Sequence, residues 1–190
     1  MTQARDGAAP AEKAVLTLAD FRAMEALEAA CYDAAYITPA AEAYAWYCRD
    51  PRTTVAAWDG AGALAGFVNL FPVPERVFAA LLAGAYEDSG MTADDLAPAP
   101  DPQGRPLDLF LSCIAVAPAY RGTGLARALV RRAAAQYAPY PCARVVTDNV
   151  TEAGERFSRR CGLTPVCKSG HGSRVYAGDW AAFLHAIREG

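Results

Sequence analysis

The stretch Leu107-Asp-Leu-Phe-Leu-Ser-Cys-Ile-Ala-Val-Ala-Pro-Ala-Tyr-Arg-Gly-Thr-Gly-Leu-Ala126 decides the fold. Its first ten residues are apolar on both faces, which marks a central strand covered on both sides. Pro118 then turns the chain, and Arg121-Gly-Thr-Gly124 opens a helix whose apolar positions are Ala126, Leu129, Val130, Ala133 and Tyr137. Two glycines at a helix start let backbone N–H groups approach a ligand with no Cβ in the way. Those N–H groups have no partner inside the helix, and the helix dipole there favours an anion. The segment reads as a phosphate-binding turn. It is not a P-loop, because no Gly-Lys-Ser/Thr follows, and Arg127 stands where a dinucleotide fingerprint needs its third glycine.

Outward from this stretch, helical and extended patterns alternate. Val15–Leu18 is expected as a short first strand, residues 19–31 and 39–49 as helices, and 53–58 with 63–71 as a hairpin around Asp59-Gly-Ala-Gly62. A helix follows over 74–83, then a loop rich in Asp, Pro and Gly to residue 106, with one helical turn near Thr92–Leu96. After the central unit come a strand at 143–147, a helix at 151–161 stopping at Gly162, a closing hairpin over 163–176 and a last helix at 179–187. Alternating strands and helices give an α/β chain with a mixed sheet.

With 190 residues and 53% hydrophobic content, the chain suits one domain with a sizeable core. No apolar run approaches bilayer length and no secretory pattern follows Met1, so a cytoplasmic protein with no membrane partner is expected. The six cysteines form no C-x-x-C pair and read as reduced thiols, with no metal site expected. The net charge of −3 is split: residues 1–106 carry 15 acids and 7 bases, and residues 107–190 carry 6 acids and 11 bases. A polyanionic ligand on the second part is favoured. Nucleic acid, the competing polyanion, is disfavoured by the acidic pI of 5.4 and the lack of any binding signature.

The pattern Arg121-x-x-Gly124-x-Ala126, preceded by Val116-Ala-Pro118, resembles the pyrophosphate motif of the GNAT acetyltransferases. The order of elements from residue 14 to about 178 is similar to that family's fold. The resemblance implies a single α/β GNAT-like domain over 13–190, its mixed, mostly antiparallel sheet splayed at the cofactor strand and flanked by helices. Residues 1–12 would be a flexible N-terminus, and 73–106 an insertion acting as a lid, a partner surface or a cover for the sheet edge. It also implies acetyl-CoA (coenzyme A) as cofactor. The backbone of Ile114, Ala115 and Val116 would hold the pantetheine arm and thioester. The amides of Gly122, Thr123, Gly124, Leu125 and Ala126, with Arg121 beside them, would hold the pyrophosphate. Asn149 would touch the cofactor arm; with Glu152 three residues on, it also fits a helix N-cap.

One departure concerns chemistry. The family's tyrosine in the pattern F-Y-x-x-x-G-F is Ser158 here, within Phe157-Ser-Arg-Arg-Cys-Gly-Leu163. A departing thiolate usually needs a proton donor. Ser158 acting through water, or Tyr32, Tyr36 or Tyr176 reaching in, are the candidates. For the base they are Glu25, Glu28, Asp108 and His171, or a water chain with no single base. The acceptor pocket is expected from Tyr32, Tyr36, Asn69, Phe71 and Tyr176, with Trp46 expected in the core.

The function expected is N-acetyl transfer from acetyl-CoA to an amine of a small molecule or peptide, directly in a ternary complex. The negative first part suggests a cationic acceptor. The alternative is a non-catalytic acyl-CoA-binding sensor or partner module. A homodimer stays open, and no nucleic-acid partner is expected.

Overall fold

A computed structural model describes residues 10–170 and 172–189. The elements are α1 (Leu18–Ala29), α2 (Ala40–Arg49), β1 (Thr54–Trp58), β2 (Leu64–Val73), α3 (Glu75–Leu82), β3 (Leu107–Val116), α4 (Leu125–Ala135), β4 (Cys142–Asn149), α5 (Glu152–Arg160), β5 (Thr164–Lys168), β6 (Arg174–Asp179) and α6 (Trp180–Glu189). The strands form one mixed sheet in the order β1-β2-β3-β4-β6-β5, with β3 and β4 its parallel pair.

The apolar character of β3 on both faces now has its cause. One face packs under α1, α2 and α3 through Phe21, Met24, Trp46, Val77, Phe78 and Leu81. The other packs under α4 and α6 through Leu129, Val130, Ala133, Phe183 and Ile187. Each fully buried side chain of this size contributes about 1.5–3 kcal/mol. Trp46 is a core residue as expected, stacked at a tilt on Phe71, with ring centroids 5.3 Å apart.

The register of β3 against β2 contains a bulge. Leu70 pairs with Leu111 and Asn69 with Cys113, which leaves Ser112 over. An extra residue bends its strand and strengthens the local twist. It also switches which side chains face which layer: Phe110 lies in the α1–α3 layer, and beyond the bulge that layer takes Ala115.

Several expectations change. No strand forms at Val15–Leu18. Thr17 caps α1 instead, its side chain accepting from Asp20 N while its own N–H donates 2.8 Å to the Asp20 carboxylate. That reciprocal capping box outweighs a short β-type pattern. Lys13 forms an ion pair with Asp20. Of the expected loose N-terminus, residues 1–9 lie outside the described residues, while Ala11 pairs with Trp58 through two 2.8 Å backbone bonds. The segment 73–106 does not cover a sheet edge: α3 lies on a sheet face, and Met91 and Leu96 are buried in the same layer. The helical turn expected near Thr92 is a short 3-10 turn at Ala93–Asp95. The sheet edges are β1, paired with Ala11, and β5, which carries Pro165 and a bulge between Pro165 and Cys167.

Candidate active site

The parallel pairing of β3 with β4 runs from Leu107↔Cys142 to Phe110↔Val146 and stops there. Beyond it the bulged β3 diverges from β4, and a cavity of about 340 Å³ fills the gap. Ser112, Cys113, Ile114 and Val116 line one wall, Thr147 to Thr151 the other, and Glu28, Cys31, Tyr32 and Tyr36 close it from the α1 end. Carboxyl ends of strands are where open α/β sheets place their ligands.

The unpaired edge of β3 can be read from its alternation. Ala117 N–H bonds back to Ala65 on β2 at 2.9 Å, so Val116 and Ile114 turn their backbone groups the other way, into the cavity. Side chains hold both of those carbonyls. The Tyr32 hydroxyl donates to Ile114 O at 2.7 Å, and Arg121 Nε donates to Val116 O at 3.2 Å. Arg121 Nη2 also reaches Cys31 Sγ at 3.3 Å, tying the turn to the end of α1. Burial pushes the Tyr32 phenol well above its ordinary pKa, with the nearby Cys113, Cys31 and Glu28 groups adding to the shift.

At the end of β3 the chain turns into α4 through Gly122 at φ +77° and Gly124 at φ +87°, the left-handed region that favours glycine. A Cβ at either would meet nothing within 4 Å. Gly124 is the N-cap of α4 and no side chain caps that helix, so its first amides point outward unclaimed by a capping group. These amides, Arg121 and the open edge of β3 together fit a diphosphate joined to an amide-bearing arm.

On the β4 side, Asn149 Nδ2 donates to Ser158 Oγ at 3.0 Å, and Ser158 is only 1% exposed. Asn149 Oδ1 lies 3.2 Å from the same hydroxyl. A Cβ on Gly154 would lie 2.7 Å from Asn149 Oδ1, so this α5 glycine makes room for the amide. Asn149 is not the N-cap of α5. Thr151 is, accepting from Gly154 N at 3.1 Å. Asp148 lines the cavity and accepts from Ser173 Oγ at 2.7 Å.

The expected residues therefore divide. Ile114, Val116, Arg121, Ala126, Asn149, Ser158, Glu28, Tyr32 and Tyr36 line the cavity. Gly122, Thr123, Gly124 and the first α4 amide, Leu125, form the turn beside it, whereas Ala115 turns its backbone groups toward Phe67 on β2 and away from the cavity. Glu25 is outside the lining. Asp108 is at the opposite, paired end of β3, where Arg144 Nε binds it at 2.7 Å, so it is a structural ion pair rather than a base. Asn69 is buried and accepts from Thr54 at 3.0 Å, and Phe71 packs on Trp46 and Phe110. Tyr176 is buried, donating to Glu155 at 2.7 Å. These three belong to the framework, because their strand positions face packed layers and not the gap. His171 lies outside the described residues. Among the described residues, none from 73–106 lines the cavity. Sequence reasoning missed Ser112, Thr147 and Asp148. The last two sit at a strand's carboxyl end and were reachable from that rule, whereas the bulge at Ser112 leaves no local mark.

A family model described as Acetyltransferase (GNAT) family matches residues 21–163. No curated protein matches the chain. Among solved structures, the chain is similar to the GphF GNAT-like decarboxylase in complex with isobutyryl-CoA (18% identity, 91% of this chain and 100% of that one, TM-score 0.65). It is also similar to the GNAT family N-acetyltransferase YhbS from Escherichia coli in complex with CoA (19% identity, 99% and 89%, TM-score 0.53). A third is the loading GNATL domain of CurA from Lyngbya majuscula (12% identity, 87% and 96%, TM-score 0.60).

Proposed function

The chain belongs to the GNAT acetyltransferase family, and from that premise we propose that it binds acetyl-CoA along the open edge of β3 and transfers the acetyl group directly to an amine of a small molecule or peptide in a ternary complex. One observation carries this reading: an uncapped, glycine-started α4 lies at the end of the same strand whose edge opens on the cavity. Bound there, the cofactor would supply an activated acyl group. The α4 amides and Arg121 would hold its diphosphate, while Ile114 and Val116 would orient the arm. The apolar walls of Tyr32 and Phe157 would keep water from the reacting carbon. The carboxylates of Glu28 and Asp148, both in the cavity lining, would favour an approaching ammonium group. Calorimetry with coenzyme A, followed by thiol release against an amine panel, tests the reading. Heat of binding plus release with any amine supports it, and absence of both ends it.

Ser158 favours a second reading. It is buried against Asn149, so α5 presents no free hydroxyl to a leaving sulfur. Decarboxylation of a malonyl-type thioester leaves the carbon–sulfur bond intact and needs no such donor; the similar GphF protein is a GNAT-like decarboxylase. Loss of CO2 from malonyl-CoA without thiol release would select it.

A further inference from the structure

Of the carboxylates in the cavity lining, Asp148 is held from outside the cavity. We propose that Asp148 selects a cationic acceptor, and that a brace running from the end of α3 through Ser169 and Ser173 aims its carboxylate. The proposal rests on the acetyl-CoA reading above and names the acceptor class of that same site, an alkylammonium compound.

The register fixes which way Asp148 faces. Successive strand residues point to opposite faces of a sheet. Val146, two residues earlier, and Val175, the cross-strand partner of Asp148, both belong to the layer under α1, α2 and α3. Asp148 therefore faces that layer, the side from which α1 brings Glu28 to the same cavity. Asn149 points the other way, to Ser158 on α5. α4, whose amides would hold the diphosphate, packs on that other face as well. The carboxylates thus stand on the side away from the charged end of the cofactor. Arg174, the cation next to Ser173, pairs with Glu155 on α5 at 3.7 Å and so leaves the charge of Asp148 to the cavity.

The brace is a chain of hydrogen bonds. Ser173 Oγ donates to Asp148 Oδ2 at 2.7 Å. A hydroxyl has one proton to give, so Ser169, in contact with the same Oγ, is the donor to Ser173. Both serines are buried, where linked hydrogen bonds strengthen one another. The backbone extends the chain: Ser169 N–H donates to Ser173 O, and Gly170 N–H to Gly84 O, both at 3.0 Å. Gly84 follows α3 at φ +66°, and a Cβ there would lie 2.9 Å from Lys168 O and from Ser169 Cα. The segment 73–106 therefore supports the β5–β6 hairpin that aims Asp148, without lining the cavity itself. A carboxylate already aimed loses less freedom when a cation arrives, which is a gain in affinity.

Calorimetry on the protein saturated with coenzyme A tests this with two probes of nearly one shape: benzylamine, protonated at neutral pH, and benzyl alcohol, which carries no charge. The native complex is expected to bind benzylamine at least about tenfold more tightly. Asp148→Asn should bring the two probes within about threefold of each other. Ser173→Ala and Gly84→Ala should each cut the preference about threefold while coenzyme A affinity holds. Ser173→Thr keeps the hydroxyl and should restore the preference, an outcome that loss of packing alone does not give. The Ser173 and Gly84 variants keep the test usable should Asp148→Asn fold poorly. Equal binding of the two probes by the native complex, or a preference unmoved in Ser173→Ala and Gly84→Ala, overturns the proposal and leaves the cofactor reading intact. Failure of the native protein to bind coenzyme A overturns both.

Discussion

The two ends of the β3–β4 pair are built from one strand and behave oppositely. From Leu107 to Phe110 the pair is laddered, sealed by hydrophobic layers on both faces and closed by the Asp108–Arg144 ion pair. From Leu111 to Val116 the β3–β4 ladder is gone, polar backbone faces a cavity, and side chains from the turn after α1 and from the α4 turn bond its carbonyls. One extra residue, Ser112, separates the two regimes. Stability resides where main chain pairs with main chain, and binding capacity where that pairing is withheld.

Substitutions can break or sharpen this contrast. The largest effect is expected from Gly124→Glu, which places a carboxylate over the unclaimed α4 amides. Coenzyme A affinity should fall at least about 100-fold by calorimetry, while the left-handed backbone at φ +87° costs the fold only about 1–2 kcal/mol. Unchanged affinity would mean that the open end is not the ligand end. Asp108→Asn should do the reverse. Stability in urea drops by about 2 kcal/mol, below the range for a fully buried pair because Arg144 is 43% exposed, and transfer is untouched. A fall in turnover at constant stability would return Asp108 to the reaction. Gly154→Ala separates the two properties within one residue. The new Cβ lies 2.7 Å from Asn149 Oδ1 and should lower coenzyme A affinity about tenfold, while the helix-propensity gain of up to about 1 kcal/mol is offset by displacing that hydrogen-bonded amide.

Ser158→Ala is expected to cost about 1 kcal/mol of stability and less than threefold in rate, because the hydroxyl serves Asn149. A rate loss of ten or more would make it a relay after all. The smallest effect concerns the capping box that fixes α1 and, through it, the Tyr32 wall. Burial would raise the Asp20 pKa, but the bonds from Lys13 and Thr17 win and hold it below the ordinary carboxylate value. A depressed folded-state pKa contributes stability above the unfolded value and loses it as pH falls through the folded one. Native protein should therefore lose slightly more stability than Asp20→Asn below about pH 4, read by thermal melts.

Much of this contrast was visible in the residues. The two-faced apolar run from Leu107 identified the central strand, and Arg121-Gly-Thr-Gly124 identified the turn, because strand burial and helix starts follow local rules. The hairpin around Asp59-Gly-Ala-Gly62 was legible for the same reason, with Asp59 accepting from Ala61 and Ala63 N–H groups, both at 2.9 Å. The break at Ser112 was not legible, because a bulge is a property of two strands in register and neither strand encodes it alone. Asp108 looked catalytic in isolation and is structural only because Arg144, 36 residues later, lands beside it. Asn149 and Ser158 likewise acquire their meaning from each other, through a glycine that clears the space.

The outer strand β5 carries a consequence for assembly. Pro165 offers no N–H, the register breaks between Pro165 and Cys167, and Val166 is 48% exposed beside them. A further strand approaching from solvent finds no continuous row of donors and acceptors on that flank. Growth of the sheet into a filament is blocked there by main-chain chemistry alone, so any self-association on that side has to be made by side chains.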